Sequence, residues 1–258
     1  MLEPTLFGLL TQMENDQIVL PAMQRPFVWK EDRVYRLIDS LLRDFPIGAI
    51  MLWNTSTLER YRRILRDIDT EAPQIFAYET SPGSKHLVLD GQQRLTSLFV
   101  AFKGTYNHRR LFIDVLSGSA EDRDPGDVYY DCKFLTESEA NALNSDTKNG
   151  RRYYLPIQEL IRINAVKAAD IAHHRAQELK LTQPETERIT NAYLRCATIQ
   201  SKHLQVMMVD EDPTEVRPLE EILEIFVRVN SGGLVLYKSD LLMSLLDLKW
   251  NDIHCHFA

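Results

Sequence analysis

No stretch of this sequence strings together the roughly 18 apolar residues needed to cross a bilayer. Its start, Met1-Leu2-Glu3-Pro4, lacks the basic flank and apolar centre of a secretory leader, so a cytoplasmic protein without a membrane partner is the expectation. Cysteine is scarce: Cys132, Cys196 and Cys255 are odd in number and far apart, which excludes a disulfide framework and predicts free thiols. His254-Cys255-His256 has no second ligand pair at finger spacing, so no metal is expected there. Nor is there a cationic surplus. Lys and Arg number 30 against 37 Asp and Glu, and the net charge of −7 has the wrong sign for a protein that coats nucleic acid by bulk charge. A local basic site remains compatible with that balance. Internal repeats, low-complexity tracts, a Gly-Lys-Ser/Thr phosphate loop and a Ser-His-Asp nucleophile context are all missing.

What is present is a globular pattern. A chain of 258 residues with 44% hydrophobic content can bury a full core as one large or two small domains. Leu2, Leu6, Leu9, Leu10 and Met13 predict an opening helix, and Val34, Leu37, Ile38, Leu41, Leu42 and Phe45 a second one begun by Glu31 and Asp32. Ile18-Val19-Leu20, the apolar run 49–53 and Leu87-Val88-Leu89 read as strands, as do residues 111–115, 129–134 and 203–209. The Arg-rich stretch 58–68 reads as helical. Helical periodicity dominates residues 136–200, and further helices are predicted over 218–229 and 241–250. The expected fold class is α/β, of α+β character: a core over 1–135, a helical insertion over 136–200, and a completing strand and helices over 201–258.

Asp90-Gly91-Gln92-Gln93-Arg94 is the sharpest chemical signal, because a strand runs into it and a helix carrying Leu95, Leu98, Phe99 and Phe102 runs out. The first N–H groups of such a helix face an anion readily. Gly91 lets the backbone come close, Arg94 offers a fork to phosphate oxygens, and Thr96 and Ser97 add hydroxyls. Asp90 can hold Mg²⁺ or act on a nucleophile, and Gln92 and Gln93 can orient water or read a base or phosphate edge. The competing reading makes Asp90 a plain helix cap and the glutamines solvated turn residues. Near Gln24 and Arg25, Phe27 and Trp29 can stack on a base or pack on the core. Asn230-Ser231-Gly232-Gly233 can bond a base or ribose, or simply end a helix. His173-His174 and the run Arg60-Tyr61-Arg62-Arg63 read as solvated surface, the latter also able to touch nucleic acid.

In order and spacing, Gln24-Arg25-Pro26-Phe27-Val28-Trp29, Ser40-Leu41-Leu42 with Phe45-Pro46-Ile47-Gly48, Asp90-Gly91-Gln92-Gln93-Arg94-Leu95-Thr96-Ser97-Leu98 and Arg228-Val229-Asn230-Ser231-Gly232-Gly233 resemble the N-terminal domain of GmrSD-type restriction proteins, over residues 17–250. The resemblance implies a ParB/sulfiredoxin-like mixed-sheet core with an additional helical layer. It also implies an NTP-binding, NTP-hydrolysing regulatory domain of a defence system against modified phage DNA. Asp90, Gln93 and Arg94 would then be catalytic, with Mg²⁺ on Asp90. Gln24, Arg25, Gly91, Gln92, Thr96, Ser97, Asn230 and Ser231 would hold the nucleotide. Relatives carry a C-terminal nuclease of the His-Asn-His type, whereas eight residues without that motif follow Trp250. Cleavage is therefore expected from a separate nuclease domain or subunit, unless the chain is a fragment or a shortened homologue. The alternatives are a non-catalytic DNA-binding or sensing module and a ParB-like DNA-nicking domain.

Overall fold

The computed structural model describes residues 4–21, 26–55, 61–72, 78–79, 83–118, 126–146, 151–209, 221, 222, 224, 225 and 228. Thr5 accepts from the Gly8 N–H at 3.1 Å and opens α1 (Leu6–Glu14), which buries Leu6, Leu9, Leu10 and Met13 at the expected helical spacing. β1 (Ile18–Pro21) closes on a proline, which has no N–H to extend a ladder. α2 (Glu31–Leu42) keeps its two acidic residues in the first turn, where they complement the helix dipole. Its apolar stripe ends sooner than expected. Asp44 takes a left-handed φ of 63°, so Phe45 leaves the core face and stands 49% exposed, with the Arg43 guanidinium 4.2 Å from its ring centre.

β2 (Ile50–Thr55) is the buried strand expected there. The stretch read as an Arg-rich helix instead supplies β3 (Tyr61–Arg62) and β4 (Asp67–Ile68). Tyr61 and Arg62 pair with Pro21 and Leu20, and this sheet pairing overrides a weak local helix preference. The expectation of a solvated basic run is corrected as well: Tyr61 and Arg62 are buried, and Arg63 reaches Asp16 at 2.8 Å. After β5 (Tyr78–Glu79) come β6 (Lys85–Asp90) and α3 (Gln92–Lys103), closed by Gly104. Glycine is needed at 104 by crowding, since a Cβ would lie 1.8 Å from the Arg66 carbonyl oxygen. β7 (Thr105–Tyr106), β8 (Arg110–Asp114) and β9 (Cys132–Leu135) follow.

α4 (Glu137–Ser145) begins with a reciprocal Thr136–Glu139 capping box. β10 (Tyr154–Pro156), a strand inside the segment read as helical, joins β8 and β9 in a three-stranded antiparallel sheet. α5 (Ile157–Leu160), α6 (Ala165–Glu178) and α7 (Gln183–Thr198) share one apolar core with α1, α2 and α3, and β11 (Val206–Val209) then returns to the main sheet. His173 and His174 lie on α6, with His174 exposed at 3.4 Å from Glu178.

The main sheet is six-stranded, in the order β11-β2-β6-β1-β3-β5, with β1–β6 and β11–β2 parallel and β2–β6 antiparallel. Its two faces serve different cores, as the two-residue period of a strand requires. Ile18, Leu20, Ile50, Leu52 and Val88 enter the large core beneath the helices, while Val19, Met51, Trp53, Leu87 and Leu89 gather with Tyr61 and Ile222 on the other face. Glu221, Ile222, Glu224, Ile225 and Arg228 are helical, within the helix expected over 218–229. The chain is thus an α/β protein. Among the described residues no helix is long and apolar enough to cross a membrane.

Candidate functional site

β6 lies between β1 and β2, so three connections meet at one end of the sheet: the exits of parallel β1 and β6 and the entry to antiparallel β2. In open α/β sheets the crevice beyond the carboxyl ends of such strands is where ligands bind. The last residues of β6 depart from regular pairing. Leu52 faces Val88, yet Met51 faces Asp90, so β6 carries one extra residue and bulges at the mouth of the site.

Gly91 turns the chain from strand to helix with a φ of +91°, and a Cβ there would stand 3.2 Å from Ile50 Cγ1. It is the helix N-cap, without a side-chain cap bond. Asp90 is therefore not the plain helix cap of the competing reading. Its Oδ2 instead accepts from Arg94 Nη2 at 2.8 Å. Arg94 Nη1 donates to the Ile47 carbonyl at 3.0 Å. Gly48, at a φ of +82°, leaves room for that guanidinium, since a Cβ would sit 2.6 Å from Nη1. The side chains of Arg94 and Asp90 are 18% and 35% exposed, so the pair lies at a surface rather than inside the core. Two of the guanidinium's five N–H donors are used among the described residues, as is one of the Asp90 oxygens. The first i→i−4 bond of α3 runs from Leu95 N to Gly91 O at 2.9 Å, so the N–H groups of Gln93 and Arg94 have no acceptor within the helix.

The other expected site residues divide. Gln93 spans to the β1 exit loop: Nε2 donates to Pro26 O and Oε1 accepts from Val28 N–H, both at 3.0 Å. Gln92 and Thr96 are buried, and Ser97 is fully buried with its hydroxyl donating to Gln93 O at 2.7 Å. The Ser97 hydroxyl is thus engaged within the helix. Phe27 is 8% exposed in the main core and edge-on to Tyr106 at 6.5 Å, and Trp29 packs against the same core, so the packing reading of these aromatics replaces base stacking on Phe27. Gln24, Arg25, Asn230 and Ser231 lie outside the described residues, as does the helix expected over 241–250. Sequence reasoning missed Ile47 and Gly48 as site residues. A carbonyl acceptor has no side-chain signature, and only the glycine after Pro46-Ile47 hinted at a close approach.

Among the described residues no group of three or more His, Cys, Asp or Glu could hold a metal ion. A lone carboxylate suits Mg²⁺ only where phosphate oxygens and water complete the shell. Elsewhere, burial raises the Asp114 carboxyl above its ordinary value and pushes the Cys196 thiol up to about 12, while Cys132, also a free buried thiol, is raised well above the ordinary range by burial.

Fold and site together define an α/β domain whose central strand ends in an arginine-clamped turn at a helix N-terminus. The family model described as "GmrSD restriction endonuclease, N-terminal domain" matches residues 6–246. The chain belongs to that family. It is also similar to the uncharacterized protein MJ0686 of Methanocaldococcus jannaschii, with 31% identity over 126 residues, or 43% of this chain and 20% of that protein.

Proposed function

We propose that this chain binds and hydrolyses a nucleoside triphosphate as the regulatory domain of a modification-dependent restriction system. The observation that carries this reading is the Arg94 guanidinium, held by Asp90 and the Ile47 carbonyl at the sheet end beside the N–H groups of Gln93 and Arg94 in the first turn of α3. The clamp fixes the fork before ligand arrives, so ordering it adds little cost on binding. Arg94 and those N–H groups bind the phosphates, with Arg25 and Gln24 contributing from the segment between Pro21 and Pro26. The free oxygen of Asp90 holds Mg²⁺ that arrives with the nucleotide. Hydrolysis forms a bond from water oxygen to the γ-phosphorus and breaks the bond to the β–γ bridging oxygen, with the water proton passing to phosphate. The protein supplies charge and position. On this reading the core is of the ParB/sulfiredoxin-like kind, and DNA cutting falls to a nuclease partner.

Calorimetric titration of ATP, GTP, CTP and UTP with Mg²⁺, repeated on Arg94→Ala, tests this. A preferred nucleotide bound at least about tenfold more weakly by the variant, which is about 1.4 kcal/mol, is the expected result. No binding by the unaltered chain, or binding indifferent to Arg94, ends the proposal. A DNA module working without nucleotide would draw on Arg25 or on Arg62 and Arg63, and the burial of Arg62 removes one of those contacts.

A further inference from the structure

Gln93 was expected to orient water, but its surroundings give it different work. Its planar amide faces the main chain 65 and 67 positions away in sequence, donating to Pro26 O and accepting from Val28 N–H, both at 3.0 Å. A neighbouring strand would satisfy the same two atoms with one donor and one acceptor, and a glutamine side chain is the match for that pattern. Asparagine is shorter by one carbon–carbon bond, about 1.5 Å. Ionised glutamate keeps the acceptor and loses the donor.

Pro26 is exposed and Val28 is 65% exposed, so apolar burial fixes only Phe27 between them. Phe27 anchors one side of the chain in the core, and the Gln93 amide fixes the peptide groups that flank it. The main chain so tethered at Pro26 and Val28 is held to the first turn of α3, which also carries Arg94.

We infer that Gln93 is a positioning residue, a latch that fixes the main chain at Pro26 and Val28 to the first turn of α3, the turn that carries Arg94, and that it does not orient water. The latch stands on its own geometry, and its effect on ligand rests on the nucleotide reading above. Gln93→Met keeps the length and apolar bulk of the side chain while removing both hydrogen bonds, and Gln93→Glu keeps the acceptor for Val28.

The test follows amide hydrogen exchange in the full chain, together with steady-state turnover and binding of the Mg²⁺ complexes of ATP, GTP, CTP and UTP. In Gln93→Met the Val28 N–H should exchange about fivefold faster, the worth of one hydrogen bond of about 1 kcal/mol, with the amides of 98–102 unchanged. In Gln93→Glu the Val28 amide should stay close to the unaltered chain. KM for the preferred nucleotide should rise about tenfold in Gln93→Met with kcat held, the pattern of lost ground-state and transition-state binding together. Unchanged Val28 exchange in Gln93→Met overturns the latch, and a fall in kcat at constant KM returns Gln93 to water orientation. If the unaltered chain binds none of the four nucleotides, the proposed function fails, and Val28 exchange still decides the latch.

Discussion

Asp90 and Asp114 each close a strand and each lead into a turn, yet their carboxylates have opposite surroundings. Asp114, at the end of β8, is 6% exposed, and one of its oxygens accepts the Leu116 and Tyr153 N–H groups at 3.0 and 2.9 Å. It ties β8 to the chain entering β10, and burial, with Asp131 adding to it, raises its carboxyl above the ordinary value. Asp90, at the end of β6, meets a guanidinium instead, at 2.8 Å, and keeps one oxygen open among the described residues. The first carboxylate is buried against main-chain donors, whereas the second lies at the surface against a cation and is left able to act. A strand-terminal Asp is thus no functional signal in itself. What separates the two is whether the partners are main-chain N–H groups in the interior or a clamped cation at a sheet end.

The largest effect should come from Asp114→Ala, which strands the buried Leu116 N–H and the part-buried Tyr153 N–H and should lower unfolding free energy by about 3 kcal/mol in urea titration. Folded variant should bind nucleotide as before, and weakened binding would erase the division between the two aspartates. Next comes Gly48→Ala. A methyl group in the left-handed region, 2.6 Å from Arg94 Nη1, should cost about 1–2 kcal/mol of stability and displace the guanidinium, weakening nucleotide binding as Arg94→Ala does. Full binding in Gly48→Ala would mean that the clamp does not set the site.

The smallest effect is the pH dependence of Asp114. Because its folded pKa is raised, the folded chain binds the proton more tightly than the unfolded chain does. Its contribution to stability is therefore highest below the ordinary value, about 3.9, and declines as pH rises through the folded value. Asp114→Asn keeps an oxygen for both N–H groups and removes the charge. Relative to the unaltered chain it should gain stability as pH rises across that window. A parallel pair of stability curves would show that burial does not govern this carboxyl.

Much of this division was legible in the sequence where apolar periodicity runs long enough. Leu6, Leu9, Leu10 and Met13, the α2 stripe and the strands around Val19, Leu52 and Val88 all follow from it. Two-residue strands such as β3 and β7 span a single repeat of the strand pattern, too little to stand out, and Tyr154-Leu155-Pro156 is a strand only because β8 lies beside it. At the site, the strand, turn and helix around Gly91 were readable. The partners of Arg94 and Gln93 were not, since Ile47 O, Pro26 O and Val28 N are main-chain atoms that every residue type has. Asp114 carried no signal either. Its burial depends on Tyr153, 39 residues away.

The extra residue in β6 acts as a phase slip in an alternating code. Through Val88 the strand keeps step with β2, apolar side chains falling in turn to the two cores. Without the slip Asp90 would stand opposite Ile50, whose side chain belongs to the large core, and its carboxylate would be driven inward. With it, the rhythm that builds the interior ends one residue before the chemistry begins. Apolar exchanges at Leu87 or Val88 therefore leave the site in frame, while loss of a single residue at the bulge shifts the site as a whole.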